Sequence, residues 1–196
     1  MAKLWNRDRP RILGALGTDV VIRRAAAGTQ AEAADWGDTV SLSDAVSITL
    51  HPANHWSARS FRDRRMALWC GFVIRAGDEV VYITGDTGYG DGAIFRQVQE
   101  RYGPPLVAVL PIGAYEPRWF MRNQHANPEE AVRIMLDCGA RQALGIHWGT
   151  FQLTDEDRLE PVAALRRACD QLGVMPERFL AMEPGDVWTR ASEAES

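Results

Sequence analysis

An aspartate and a histidine each follow directly after a predicted buried strand. The β-branched and aromatic run of residues 80–84 predicts a strand, and it is followed by a glycine-rich segment that carries Asp86. Glycine permits the backbone conformations of a tight turn, so Asp86 is expected on a loop. The apolar run of residues 143–146 ends at His147. The carboxyl ends of strands in α/β proteins commonly carry functional residues. Structural roles are the alternative, with Asp86 capping a turn and His147 satisfied within the protein.

A third candidate, His55, lies in the loop of residues 52–57, after the alternating pattern that predicts a strand over residues 46–51. His51 is separated from His55 by a spacing that would place both on one face of a helix, but Pro52 excludes a helix there. We therefore expect His55, and not His51, at a functional site.

A fourth candidate, His125, stands two residues before Asn127, the predicted N-cap of a helix that continues with Pro128. The free amide groups at a helix N-terminus favour anions, and the same field lowers the pKa of a histidine. A neutral His125 in this position suits recognition of a phosphate or of a developing oxyanion.

Together these residue types indicate a metal site. Histidine nitrogens and aspartate oxygens are the ligands that zinc prefers in hydrolytic enzymes. If the loops carrying His55, Asp86, His125 and His147 converge, the spacing predicts a His/Asp metal site.

Composition narrows the class of protein. A length of 196 residues predicts one domain, and a net charge of −4 gives no electrostatic footprint for nucleic acid. The four arginines within residues 59–65 are interpreted as a solvated loop, with an anion site as the alternative. No apolar run reaches the length of a membrane span, and the N-terminus lacks the apolar region of a signal peptide. The three cysteines are interpreted as small core residues, which favours a reducing, cytoplasmic location.

Strand and helix patterns alternate in the second half, which predicts an α/β fold with helices covering a sheet. Helices are expected over residues 3–8, 19–27, 91–102, 127–138 and from 161, with Asp91 capping the third. Strands are expected over residues 11–16, within 33–42, and over 46–51, 66–75, 79–84, 106–111, 143–146, 179–182 and 187–188. Residues 112–121 are expected to form a long loop without its own element, and residues 154–157 a turn in the style of a capping box. Residues 1–190 form the predicted domain and residues 191–196 a disordered tail.

Five segments in consistent order carry a resemblance to a known family. They are residues 52–56 (PANHW), 85–89 (GDTGY), 111–121 (PIGAYEPRWFM), 124–131 (QHANPEEA) and 146–151 (IHWGTF). They resemble the N-acylphosphatidylethanolamine-hydrolysing phospholipase D family, within the metallo-β-lactamase superfamily. The likeness extends over nearly the whole chain, and the 111–121 segment is its most specific part.

The resemblance implies a metallo-β-lactamase-like αβ/βα sandwich with two zinc ions, acting on a lipid or small-molecule phosphodiester. It implies that His55 ligates the first zinc and His147 the second, that Asp86 bridges both, and that His125 faces the substrate. A metal-bound hydroxide would attack phosphorus. Arg118 and Tyr115 are expected to contact the substrate, although structural pairing of Arg118 with Glu116 is an equal alternative. Peripheral contact with a membrane is left open.

The chain also departs from the family pattern. Members carry a His-x-His-x-Asp-His segment that supplies two ligands to each metal, and no two histidines here are separated by one residue. We therefore expect an incomplete sandwich that lacks its N-terminal part, with an exposed apolar face and self-association. The alternatives are a catalytically inactive module for binding or assembly, and a lactonase or other hydrolase of the same superfamily.

Overall fold

The computed structural model describes residues 2–190. Its helices are α1 (Ala2–Asp8), α2 (Thr18–Ala25), α3 (Ala93–Tyr102), α4 (Arg118–Met121), α5 (Pro128–Asp137) and α6 (Glu160–Leu172), with a 3-10 turn at Pro176–Arg178. Its strands are β1 (Leu13–Ala15), β2 (Glu32–Ala34), β3 (Thr39–Ser41), β4 (Val46–His51), β5 (Gly71–Ala76), β6 (Glu79–Ile83), β7 (Val107–Pro111), β8 (Gln142–Ile146) and β9 (Phe179–Ala181). The alternating pattern of the second half is confirmed as an α/β fold.

Strands β3 to β9 form one seven-stranded sheet in chain order, and β1 and β2 form a separate parallel pair. Strands β3 to β6 are antiparallel, and β6 to β9 are parallel. The tight turn at Gly77 closes the β5–β6 hairpin with a positive φ of 59°. Helices α3, α5 and α6 each connect two neighbouring parallel strands, as a parallel sheet requires.

The main core lies on the face of the sheet that these helices cover. One row of paired residues crosses this face, formed by Val73, Tyr82, Ala108 and Ala143, all buried. Helix α5 packs most closely against the sheet because it presents a fully buried stripe, whose members are Ala131, Val132, Ile134 and Met135.

The opposite face carries a row of apolar side chains that are only half-buried. Phe72, Ile83, Val109, Leu144 and Leu180 are successive partners across five strands. The β1–β2 pair covers only the Phe72 end of this row. An incompletely covered apolar face is therefore present, while self-association through it stays a prediction.

Several predicted boundaries were wrong. Residues 118–121 form the single turn α4, because the amides of Phe120 and Met121 bond to the Pro117 carbonyl, and one turn is too short to show periodicity. Residues 187–188 form no strand, since the chain turns at residues 183–186 and leaves the sheet. Residues 154–156 form a bend, and α6 begins at Glu160, one residue before the start expected from the sequence.

Two further details differ from the sequence expectation. Gly92, and not Asp91, is the N-cap of α3, although the Asp91 carboxylate still accepts a hydrogen bond from the Ala93 amide at 3.0 Å. Strand β5 begins at Gly71 and not near Met66, because residues 57–69 form an irregular loop. The predicted tail at residues 191–196 lies outside the described residues.

Candidate metal centre

The four candidate residues lie at one edge of the sheet. Strand β5 is antiparallel to both β4 and β6, so β4 points in the same direction as β6, β7 and β8. The carboxyl ends of these four strands therefore meet at the same edge. His55, Asp86, His125 and His147 follow β4, β6, β7 and β8, respectively.

Buried Thr87 connects three of the loops that carry these residues. Its hydroxyl accepts a hydrogen bond from the Asn54 amide at 2.9 Å, and its carbonyl accepts one from the Ala126 amide at 2.7 Å. The Gly88 amide returns a bond to the Asn54 carbonyl at 2.8 Å. The loops of His55, Asp86 and His125 are thus held together by hydrogen bonds of residues that adjoin each of these side chains.

The ligand atoms converge. One ligand atom from each of His55, Asp86 and His125 lies within 4.8 Å of the other two. The Nε2 atom of His147 lies 3.5 Å from Asp86 Oδ1, and its ring stacks on the His125 ring with centroids 5.5 Å apart. The predicted convergence of all four side chains is present. His125, which the resemblance assigns to the substrate, lies within the group of possible metal ligands.

Unpaired ring nitrogens show that this cluster suits a metal ion. His55 Nε2, His125 Nδ1 and His147 Nδ1 are buried and have no hydrogen-bond partner, although buried polar atoms are normally paired. His55 Nδ1 lies 2.6 Å from the Trp56 carbonyl oxygen and must donate to it, which leaves the lone pair of Nε2 free. A backbone carbonyl behind a histidine is a common arrangement for a metal ligand. Two histidines and one carboxylate meet the three-ligand requirement of a catalytic zinc ion.

The expectation of a neutral His125 holds, but for a different reason. The pKa of His125 is lowered to about 4, mainly by burial and next by the neighbouring His55, while the Asp86 charge opposes both. A carboxylate already occupies the N-terminus of α5. Glu130 accepts the Asn127 amide at 3.0 Å, and Asn127 accepts the Glu130 amide at 2.8 Å, in a capping box.

Arg118 has a structural environment. Its guanidinium pairs with Glu130 at 2.7 Å, not with Glu116, and also donates to the carbonyl of His125 at 2.8 Å. Glu116 instead accepts the amide of Arg118 at 2.9 Å. Arg118 thereby fixes the backbone of His125, and contact with an anionic substrate stays a prediction.

Tyr115 is buried, and burial raises the pKa of its hydroxyl to about 12. Its expected contact with the substrate is not tested by this position. His51 lies outside the cluster, as expected: it is buried, and its Nε2 lies 2.7 Å from the Ile94 carbonyl oxygen.

His147 has a left-handed backbone conformation, with φ of 62°, which is uncommon for a residue other than glycine. Such local strain is often found at functional sites, where the surrounding structure maintains it. Here the surrounding structure is the loop after β7, in which Gly113 packs directly on the His147 carbonyl and leaves no room for a Cβ atom.

Glu156 is the site residue that sequence reasoning missed. Its carboxylate accepts hydrogen bonds from three successive amides, those of Ala114 at 2.6 Å, Tyr115 at 3.3 Å and Glu116 at 3.1 Å. Ala114 has a left-handed φ of 60°, so the three amides point to one concave anion-binding surface. The surface depends on the left-handed Ala114, and no spacing in the sequence indicates it.

Comparisons with known proteins agree with the site and the fold. The family model for a beta-lactamase superfamily domain matches residues 5–148. N-acyl-phosphatidylethanolamine-hydrolyzing phospholipase D 1 of Caenorhabditis elegans is 36% identical over 159 residues, which cover 79% of this chain and 44% of that protein. The mitochondrial N-acyl-phosphatidylethanolamine-hydrolyzing phospholipase D of Saccharomyces cerevisiae is 40% identical over 131 residues, which cover 64% of this chain and 28% of that protein.

A solved structure shows the same fold. Igni18, a metallo hydrolase from Ignicoccus hospitalis, superimposes with a TM-score of 0.69 at 23% identity, covering 94% of this chain and 70% of that one. The predicted metallo-β-lactamase-like fold is thereby confirmed. This chain spans less than half the length of each of the two curated relatives.

Proposed function

This chain belongs to the beta-lactamase superfamily, and from that premise we propose that it forms the zinc site of a phosphodiesterase of phospholipase D type. The substrate class we propose is N-acylphosphatidylethanolamine-type lipids. The single observation that carries the proposal is the cluster of three buried, unpaired histidine nitrogens around the Asp86 carboxylate.

His55, Asp86 and His147 are assigned to the metal in this proposal, and His125 to the substrate. The lone pair of His55 Nε2 is oriented by the Trp56 carbonyl, and the contact of 3.5 Å between Asp86 and His147 suits two ligands of one ion. A bound divalent zinc would supply a water of lowered pKa and positive charge near the phosphate. His125, kept neutral by burial, can donate one proton or accept one at the reacting phosphate.

The choice of substrate rests on the relatives named above, since the match to the Caenorhabditis elegans protein includes 79% of the residues of this chain. A cytoplasmic location belongs to the proposal, supported by three free cysteines, Cys70, Cys138 and Cys169. None of the helices within residues 2–190 combines the length and apolar character that a bilayer-spanning helix requires.

The second candidate is a module that binds without catalysis. One observation favours it: within residues 2–190 a single group of three metal-binding side chains is found, whereas the two-zinc site implied by the resemblance needs more ligands.

Elemental analysis of zinc per purified chain tests the proposal, with His147→Ala, His125→Ala and, as a matched control, His51→Leu. We expect zinc in the wild type and in the control, and its loss in His147→Ala. His125→Ala should retain zinc but lose release of N-acylethanolamine from the lipid. Zinc loss in His125→Ala would make it a ligand, and a folded wild type without zinc would favour the second candidate.

A further inference from the structure

Within residues 2–190, no hydrogen bond orients the ring of His125. Its Nδ1 atom is buried and unpaired, and its ring lies against the rings of His55 and His147, with centroids 5.1 Å and 5.5 Å away. A histidine that exchanges a proton with a substrate must nevertheless be placed within hydrogen-bond reach of it. The backbone that carries the ring therefore has to set its position.

Three hydrogen bonds hold this backbone. The amide of His125 donates to the Met121 carbonyl at 2.9 Å, and the next amide, that of Ala126, donates to the Thr87 carbonyl at 2.7 Å. The carbonyl of His125 accepts a hydrogen bond from Arg118 Nη1 at 2.8 Å. This third bond comes from a side chain, so it depends on how that side chain is itself held.

Glu130 holds the Arg118 guanidinium. Its Oε2 atom lies 2.7 Å from Arg118 Nη2, and the side chains of Glu130 and Arg118 are only 24% and 26% exposed. The same oxygen accepts the Asn127 amide at 3.0 Å. Because a guanidinium is planar and its donors are fixed relative to one another, pairing Nη2 with Glu130 also aims Nη1 at the His125 carbonyl. The start of α5 is thereby linked through two side chains to the backbone of His125.

The same contacts argue against the substrate role expected for Arg118. Both terminal nitrogens of its guanidinium already have acceptors, since Nη1 also lies 3.4 Å from the Tyr115 carbonyl oxygen. A substrate phosphate would have to displace the Glu130 carboxylate, which neutralises the Arg118 charge and repels a second anion. Arg118 is thus committed to protein groups beside the metal centre.

We propose that Arg118 and Glu130 are positioning residues, which act through the His125 carbonyl to hold the His125 ring against His147 in the orientation that proton transfer requires. The inference rests on the proposed function for its catalytic consequence. Loss of either side chain displaces the ring without removing a group that touches the substrate or the metal, so it lowers turnover rather than binding.

Steady-state release of N-acylethanolamine by Arg118→Met and Glu130→Gln tests the catalytic consequence. We expect kcat to fall by about 10- to 100-fold, while KM and the zinc content stay at their wild-type values. Arg118→Lys should not restore kcat, because one ammonium group cannot replace a fork that reaches two acceptors. Glu129→Gln and Arg133→Met are the matched controls and should behave like the wild type, since they remove the same charges from an exposed pair on the same helix, 2.8 Å apart.

Nuclear magnetic resonance of the histidine ring protons in the purified full chain reads the ring position without substrate. In Arg118→Met and Glu130→Gln, we expect the His125 and His147 ring resonances to shift by more than a linewidth, because the rings are stacked and each alters the field at the other. The resonances of His51, which is bonded elsewhere, should stay in place. A mere loss of stability would leave the ring resonances of the folded molecules unchanged.

Unchanged His125 resonances in folded Arg118→Met would overturn the inference. A raised KM with unchanged kcat would also overturn it, because Arg118 would then be a substrate contact, and recovery of kcat in Arg118→Lys would overturn it for the same reason. Arg118→Met keeps the capping box of α5, so this variant decides the question if Glu130→Gln does not fold. If the wild type releases no N-acylethanolamine, the proposed function fails, and the ring resonances still decide the inference.

Discussion

Replacing Glu156 by glutamine should loosen the loop that supports His147. The carboxylate joins residues 114–116 to the segment after β8, and Gly113 in the same loop packs on the His147 carbonyl. Glutamine keeps the size of the side chain but removes its charge. It also turns an NH₂ group toward one of the amides, which is a donor facing a donor.

The magnitude follows from the bonds. Hydrogen bonds to a charged group contribute about 1.5–3 kcal/mol and neutral ones about 1 kcal/mol, so the bonds from Ala114 and Thr154 each weaken by about 1 kcal/mol. The bond from Glu116 is lost at a cost of about 1 kcal/mol. Since Glu156 is only half-buried, water offsets part of this sum. We expect Glu156→Gln to lower the free energy of unfolding by about 2 kcal/mol.

The pH dependence provides a second measurement. Burial opposes the charged form of Glu156, but the hydrogen bonds from Thr154 and from the backbone outweigh it and lower its pKa below the ordinary value of 4.5. A lowered pKa in the folded state stabilises the protein above the unfolded pKa, and this contribution disappears as pH falls through the folded pKa. The difference between wild type and Glu156→Gln should therefore be full near neutral pH and shrink below pH 4.5.

Urea unfolding of metal-free protein at several pH values measures both effects. The exposed neighbour Asp155 is the matched control, since Asp155→Asn removes the same charge from the same segment. If the two variants have equal stability at neutral pH, or if the deficit of Glu156→Gln persists in acid, the amide–carboxylate contact does not have the energetic role derived above.

Three other substitutions separate support of the site from its chemistry. His51→Leu breaks the hydrogen bond to the Ile94 carbonyl and should lower the free energy of unfolding by about 1–3 kcal/mol, while the zinc content stays unchanged. Loss of zinc from a variant that is still folded would place His51 in the site. Gly113→Ala should displace the His147 carbonyl and lower both thermal midpoint and zinc content, and normal zinc affinity would show that the contact relaxes freely. His147→Gly should remove about 1–2 kcal/mol of backbone strain. It should therefore unfold at a higher urea concentration than His147→Ala, although both variants lose zinc. Equal urea midpoints would argue against strain at the φ of 62°.

Local patterns were sufficient to predict the elements that carry the site. Strands β4, β6 and β8 have continuous or alternating apolar patterns, and α5 has its N-cap, its proline and its capping-box acid in adjacent positions. Because three of the four candidate side chains lie in loops that follow such strands, their convergence could be predicted as well. The cluster was predictable to the extent that strand ends meet at one sheet edge.

Features that depend on contacts between distant segments could not be predicted. The hydrogen bonds that Glu156 accepts from the amides of Ala114 and Glu116 depend on one left-handed residue and on two loops meeting. The partner of Arg118 is Glu130, across a turn that the sequence does not specify. The neutral state of His125 was expected from the helix N-terminus, but its main cause is burial, which sequence does not reveal.

The order of the strands has a consequence for how the site assembles. His55 and Asp86 follow strands of the antiparallel region, where β5 and β6 pair through a tight hairpin and no helix separates β4 from β5. His147 follows β8, which joins β7 only after the long parallel crossover through α5, and such pairing is intrinsically slow. Ligand atoms from both regions meet only in the completed sheet. A metal ion that binds them therefore stabilises the whole native state rather than one loop, and metal affinity reports on complete folding.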